Sequence, residues 1–243
     1  MPASRLVIVS DAHLGAAPAR TEEALEAFLD AVPALGDALL VNGDLFDFWF
    51  VYRHAIPRRG ARVLALLGAL ARKLPVVMTG GNHDRWGDSF WERDLGIRFS
   101  GGELQFEVGE LRVLALHGDG VAEVHWKARV MHRITRHPVT VAAYRLIHPD
   151  LGTWLVDRMS GSLADHTRDP AVLDEASARQ RIWAAERMRQ MPEIGLLVMG
   201  HTHRPSVEEV SPGRRYVNPG AWIDGQRYAV ATVSGVELKQ FPG

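Results

Sequence analysis

At five places in this 243-residue chain a short apolar run stops abruptly at polar residues that can bind a metal ion. Leu6 to Val9 and Ser10 lead to Asp11-x-His13, and Ala38 to Val41 lead to Asn42-Gly-Asp44. Pro75 to Gly81 lead to Asn82-His83-Asp84, Arg112 to Leu116 to His117-Gly-Asp119, and Gly195 to Gly200 to His201-x-His203. The runs are short, rich in Val and Leu and not alternating, the pattern of strands buried on both faces. In open α/β sheets the ligand site lies beyond the carboxyl ends of the strands, where loops bring distant residues together. All five polar groups fall there, so the chain is expected to carry one site assembled from five loops.

Between these junctions the periodicity switches to helical. Thr21 is placed to cap a helix whose Leu25, Phe28, Leu29 and Val32 face inward, with Glu22 and Glu23 in its first turn. A second helix is expected to start near Pro57 and to bury Val63, Leu64, Leu67 and Leu70. A short segment around Phe90 to Leu95 precedes a hairpin of Leu104 to Val108 and Leu111 to Leu116, which delivers His117. The order β-α-β-α-β followed by antiparallel strands is interrupted at about residues 120–192 by long helical periodicity, including a helix capped by Asp169-Pro170 that ends before Pro192. Strands return at Ile194 to Met199, Val207 to Val210, Tyr216-Val217, Tyr228 to Val233 and Val236 to Gln240. The expected organisation is a core of residues 1–119 and 193–243 with a helical cap, 120–192, inserted into it.

Composition bounds the chemistry. With no cysteine, any metal is left to oxygen and nitrogen donors, and disulfide or thiolate chemistry is excluded. A formal net charge of −1 gives no general attraction to nucleic acid. No apolar stretch reaches the roughly 18 residues of a membrane span, and the N-terminus runs within a few residues into the first strand, so a cytoplasmic protein without a cleaved signal is expected.

Two divalent ions about 3.5–4 Å apart need one carboxylate that lends an oxygen to each, plus separate terminal ligands. Asp44 is the candidate bridge. Asp11 and His13, alternate residues at a strand end, project to the same side and with Asp44 and His203 complete a first site. Asp44, Asn82, His117 and His201 form a second. This mixture of imidazole, amide and carboxylate suits Mn, Fe or Zn better than an all-oxygen Ca or Mg cage, with Mn the first choice. A hydroxide held between the ions is then the expected nucleophile.

In order and spacing, D-x-H, G-D, G-N-H-D, H-G-D and G-H-T-H resemble the calcineurin-like metallophosphoesterase family from Val7 through His203. The resemblance implies a sandwich of two mixed β-sheets flanked by helices, a pair of divalent metals, and His83, Asp44 and Asn82 as the catalytic set. Gly43-Asp-Leu-Phe-Asp-Phe-Trp49, Gly200-His-Thr-His-Arg-Pro205, Pro219-Gly-Ala-Trp222 and the helical insertion are more closely similar to the UDP-2,3-diacylglucosamine diphosphatases of lipid A biosynthesis. That resemblance implies attack at the phosphorus nearer uridine, with release of UMP and an acylated sugar 1-phosphate. The alternatives are a metal-dependent phosphodiesterase or phosphatase of another substrate, and a non-catalytic scaffold on the same fold.

Residues 127–168 hold seven Lys/Arg against three Asp/Glu, interleaved with apolar residues, a composition compatible with an acylated anionic ligand and with peripheral contact to the inner face of a membrane. Packing inward with a solvated arginine face is the competing explanation. Two positions depart from the lipid A enzymes. His83 stands where arginine is common, and an imidazolium would assist a poorer leaving group than a sugar phosphate. The stretch expected to touch substrate is Ser160-Gly-Ser-Leu-Ala-Asp-His-Thr-Arg168, with Ser160 and Arg168 the candidate contacts. Asp84 and Asp119 either orient the rings of His13, His83 or His117 or cap their own loops. Trp49 and Phe50 either line the pocket or close the core. His54, His125, His132, His137, His148 and His166 are read as surface or packing residues.

Overall fold

The computed structural model describes residues 4–52, 54–87, 89–121, 130, 133–135, 137–152, 154 and 170–242. Its first sheet is built on β1 (Leu6–Val9), β2 (Ala38–Asn42), β3 (Val76–Thr79) and β4 (Arg98–Ser100). These four run parallel in that order. The sheet is completed on the other side of β1 by antiparallel β10 (Arg227–Ala231) and β11 (Val236–Gln240), giving the order β11-β10-β1-β2-β3-β4. The second sheet, β5-β6-β7-β9-β8, comprises β5 (Leu104–Val108), β6 (Leu111–Ala115), β7 (Leu196–Val198), β8 (Ser206–Ser211) and β9 (Arg214–Asn218). Its central strands β6, β7 and β9 are parallel and its edge strands antiparallel, so both sheets are mixed.

Strand alternation sorts the core into layers. Leu6, Ile8, Leu40 and Val77 point from the first sheet toward Val113, Ala115, Leu196, Val198 and Val217 of the second, and all are buried. The intervening Val7, Val9, Leu39, Val41 and Met78 face the opposite way. They meet Leu25, Phe28, Leu29 and Val32 of α1 (Ala19–Leu35) and Val63, Leu64, Leu67 and Leu70 of α2 (Ala61–Ala71). The short α3 (Phe90–Arg93) adds Trp91 to that layer. Among the later helices, α4 (Pro138–Tyr144) buries none of its residues. Helix α5 (Pro170–Gln190) instead packs on the outer face of the second sheet, where Ala184 and Met188 meet Leu114, Leu197, Met199 and Tyr216. No helix among the described residues is long and apolar enough to cross a membrane.

Local signals misplace two helix starts. Thr21 does not cap α1: its amide already donates to the Pro18 carbonyl (2.8 Å), so helical hydrogen bonding begins before it, and Thr21 is buried within the helix. Pro57 does not open α2, which begins at Ala61 after a left-handed Gly60 whose carbonyl takes the first amide, that of Leu64 (3.0 Å). Asp169 lies outside the described residues, which resume within the helix at Pro170, and α5 ends before Pro192. Strand β4 was not anticipated, because Arg98-Phe-Ser is a three-residue edge with little apolar content.

Trp222 joins the two ends of the chain. Its ring is fully buried against Phe28 (centroids 4.9 Å apart), and its indole N–H donates to the Thr21 carbonyl (3.1 Å). Replacing a buried tryptophan with alanine leaves a cavity and removes its hydrogen bond to α1, so Trp222→Ala should lose about 3–5 kcal/mol of stability, measured by urea unfolding monitored by circular dichroism.

Candidate metal centre

Because β1, β2 and β3 are parallel neighbours, their carboxyl ends lie side by side. They deliver Asp11 and His13, Asp44, and Asn82 to Asp84 to one rim of the first sheet. The parallel pair β6 and β7 does the same in the second sheet for His117 and for His201 and His203. The two rims meet where the His201 amide donates to the Asp11 carboxylate (3.1 and 3.2 Å), and within the first rim the His83 amide donates to Asp44 Oδ1 (3.0 Å).

The backbone at these positions is unusual. Asp11, His13, Asp44, His201 and His203 have φ of 54°, 47°, 50°, 68° and 56°, and Gln226 is the only other non-glycine with positive φ among the described residues. A left-handed conformation costs a non-glycine residue on the order of 1–3 kcal/mol and persists where surrounding structure over-determines it. Here the loops hold one another: Asp11 N donates to Gly43 O (3.1 Å), His13 N to Asp44 O (3.0 Å) and Leu14 N to Leu45 O (2.9 Å). Gly81 is required by close approach, since a Cβ there would run into the Asp44 carboxylate.

Around Asp44 the donor atoms converge. His117 Nε2 is 3.1 Å from Asp44 Oδ2, and the Nε2 atoms of His13 and His83 are each 4.0 Å from it. On the other side, Asp11 Oδ1 lies 3.5 Å from His203 Nε2 and 3.8 Å from His117 Nε2. Three groups place one donor from each member within 4.8 Å of one another: Asp11, His13 and His203; His13, Asp44 and His83; Asp44, His117 and His201. The first holds the terminal ligands expected for one site, and the third holds the expected bridge Asp44 with two of the three terminal ligands expected for the other, Asn82 not being among them. The second brings His83 to ligand distance as well. Here Asn82 Oδ1 is buried without a hydrogen bond, and His117 Nε2 has only its close ionic contact with Asp44. A buried acceptor without a partner, as at Asn82, is unfavourable by about 1–3 kcal/mol. A cation accepted by both would remove that cost, so the residues present fit a metal pair.

Charge supports the same conclusion. Burial opposes ionisation of Asp11, but the charges of His117 and His203 outweigh it and hold its pKa at about 2. Asp44 is likewise held well below the usual range, with burial overcome by His117, His83 and His13. In return, the histidines are pushed up despite burial: His117 well above its ordinary value by Asp44 and Asp11, and His203 to about 10 by Asp11 and Asp224. Without metal, imidazolium charge balances the carboxylates. Metal ligation requires neutral imidazoles, so ion uptake would replace those protons.

An outer ring of acceptors turns the histidines. His117 Nδ1 faces the Asn42 carbonyl (3.0 Å), His83 Nδ1 the Asp47 carbonyl (2.6 Å) and His203 Nδ1 the Asp224 carboxylate (2.7 Å). Each contact directs Nε2 inward and, as is usual around metal sites, fixes ring orientation. Sequence reasoning named none of these three partners. Asp84, which it did name, accepts the amides of Leu45 (2.7 Å), Gly81 (2.8 Å) and Asp44 (3.2 Å), so it pins the two ligand loops together and does not orient a ring. Asp119 forms a partly buried ion pair with Arg85, linking the loop after β6 to the loop after β3. Trp49 is a correction: it is fully buried, stacked on Phe46 (4.5 Å) and beside Trp91, and cannot contact substrate. Phe50 is buried as well. Ser160 and Arg168 lie outside the described residues.

Comparison with known proteins agrees with this arrangement. The family model for calcineurin-like phosphoesterases matches residues 4–205. The chain is 29% identical to a UDP-2,3-diacylglucosamine hydrolase of Porphyromonas gingivalis, over 93% of this chain and 94% of the relative. It is 30% identical to a protein of that name from Bordetella pertussis, over 83% and 78%, and 23% identical to one from a Shewanella species, over 98% of each. The rim of ligands at the strand ends and the family match lead to one conclusion: this chain belongs to the calcineurin-like phosphoesterases, metal-dependent hydrolases of phosphoric esters.

Proposed function

We propose that the protein hydrolyses the pyrophosphate of UDP-2,3-diacylglucosamine, using one ion held by Asp11, His13, Asp44 and His203 and a second held by Asp44, Asn82, His117 and His201. The observation that carries this reading is the convergence of Asp11, His13, Asp44, His117, His201 and His203, with Asn82 Oδ1 buried and without a hydrogen bond, in a chain similar over nearly its full length to hydrolases of that name. Bound there, two divalent ions, Mn in the first instance and Fe or Zn as alternatives, would supply charge for the phosphoryl oxygens and acidify an attacking water. In the reaction an oxygen–phosphorus bond forms at the phosphorus nearer uridine, and the bond from that phosphorus to the bridging oxygen breaks. UMP and 2,3-diacylglucosamine 1-phosphate are the products.

The residues divide the remaining work. Asp44 sits between the two ligand sets and faces both. His83 is anchored through Nδ1 to the Asp47 carbonyl, which leaves Nε2 toward the reacting centre as a proton donor. Burial favours its neutral form, but Asp44 and Asp47 raise its pKa, so more of it is imidazolium near neutral pH. Of the inserted segment, residues 120–192, the part before α5 would meet the substrate, since α5 itself packs on the second sheet. Exposed Val130, Ile134, Val139, Leu146, Leu151 and Trp154 support contact with acyl chains or with the surface of a membrane at the cytoplasmic face. Ser160 and Arg168 remain candidate phosphate contacts.

A second reading, a phosphodiesterase for a substrate with an alkoxide leaving group, is favoured by His83 itself. An acid helps an alkoxide leave more than it helps a sugar phosphate.

Metal-free protein resupplied with Mn should release UMP from UDP-2,3-diacylglucosamine, and Asp44→Asn should return that release to background in the same assay. Activity confined to simple diesters would keep the metal centre and discard the lipid substrate. For His83→Arg, UMP release should survive, while cleavage of an alkyl phosphodiester should fall by about 10²–10⁴, the usual contribution of a general acid. Loss of both activities would remove the pyrophosphatase reading.

A further inference from the structure

Helix α5 presents to the second sheet a stripe with a period of four residues: Ala176, Gln180, Ala184 and Met188, all buried. Gln180 is the exception in chemistry. It is wholly enclosed, as are Thr202 (1% exposed) and Asn218 (0%), and the three side chains form one closed network. Gln180 Nε2 donates to the Gly200 carbonyl (3.1 Å), and Gln180 Oε1 accepts from Thr202 Oγ1 (3.2 Å), Tyr216 OH (3.2 Å) and Asn218 Nδ2 (3.4 Å). Asn218 Nδ2 also reaches the Gly200 carbonyl (3.0 Å) and Thr202 Oγ1 (3.0 Å), and its Oδ1 accepts the Gly220 amide (2.9 Å).

Every contact that Gln180 makes on the site side falls on a residue adjoining a metal-ligand candidate. Gly200 precedes His201, Thr202 lies between His201 and His203, and both histidines have left-handed backbone. On its other flank Gln180 touches the loop after β6: a Cβ on Gly118, which follows His117 and has φ of 104°, would meet its amide nitrogen. The loops are tied directly as well, since Gly200 N donates to the His117 carbonyl (2.9 Å). A buried amide with both ends engaged locks the backbone it binds, because every alternative leaves a polar atom unpaired away from water.

We propose that Gln180 is a positioning residue for the metal centre: from α5, with Asn218, it clamps the Gly200-His-Thr-His203 loop and supports the His117-Gly118 turn, and so sets the affinity for the ion that His117 and His201 hold. This rests on the two-ion reading above. It gives the last helix of the inserted segment a place between the second sheet and the metal loops.

The test is calorimetric titration of metal-free protein with MnCl2, with Mn electron paramagnetic resonance to count free ion, alongside thermal unfolding of each metal-free variant. Gln180→Met keeps length and bulk but no hydrogen bonds. Thr202→Val removes only the loop hydroxyl. Tyr216→Phe removes the Gln180 contact made from the sheet side. Gln180→Met and Thr202→Val should weaken binding of one of the two Mn ions about 10–100-fold, the usual effect of losing a group that orients ligands. Tyr216→Phe should lower the unfolding midpoint at least as much while leaving Mn affinity unchanged. Wild-type affinity in Gln180→Met would overturn the proposal, as would affinity losses that simply follow the losses of stability across the three variants. If Gln180→Met does not fold, Thr202→Val decides alone. Absence of Mn binding by the wild-type protein would overturn the two-ion reading and this inference with it, an outcome distinct from equal binding by wild type and variants.

Discussion

Two carboxylates, Asp11 and Asp44, are held ionised where water reaches almost nothing of them, at 0% and 2% exposure. An unpaired charge in that position would be severely unfavourable, so the surroundings must supply positive charge and hydrogen-bond donors from several directions. Five histidines crowd the pair, and amides of His83 and His201 complete the cage. Much of the rest follows from meeting this demand. The strands end where they do so that their last residues can turn inward, and the left-handed backbone at five of the ligand positions is held by ties between the loops and, at His201, by the Asp11 carboxylate.

No single sheet could satisfy the requirement. The first sheet brings both carboxylates, His13, Asn82 and His83, but His117, His201 and His203 come from the second. Sandwich packing over Ile8, Leu40, Val113 and Val198 therefore sets the spacing of the two rims, and a change in that core would be felt at the ligands. The polar cross-ties confirm how firmly the rims are joined. Arg85 and Asp119 bridge the loops after β3 and β6, and Trp222 N and Ile223 N reach back to the carbonyls of Ser10 and Asp11 (2.9 and 3.1 Å).

Most of the architecture was legible because the signals were strong and local. Runs such as Leu6–Val9 and Val76–Thr79 declare buried strands, and the apolar spacing of Leu25 to Val32 and Val63 to Leu70 selected the faces that are buried. Motif order identified the donors that meet at Asp44. What escaped was whatever depends on contacts distant in sequence or on backbone atoms. Asp224 orients His203 across 21 positions, and a carbonyl, as at Asn42 or Asp47, leaves no trace in residue type. Trp49 is an ambiguity of another kind: an aromatic residue beside a site motif points with equal ease into a pocket or a core, and here Phe46 and Trp91 claim it. Asp84 was seen as important, but its role as a tie between two turns is a matter of amide geometry that spacing does not encode.

The wiring of the first sheet also bears on how the molecule comes into being. Strand β1 at the start of the chain pairs on one side with β2 and on the other with β10, and Asp11 takes its amide donor from a residue 190 positions later. A nascent chain leaving the ribosome therefore carries Asp11 and His13 long before the rest of their cage exists. Contacts that span so much sequence close slowly. The earliest-made part of the centre must wait, hydrated and unpaired, for nearly the last-made part.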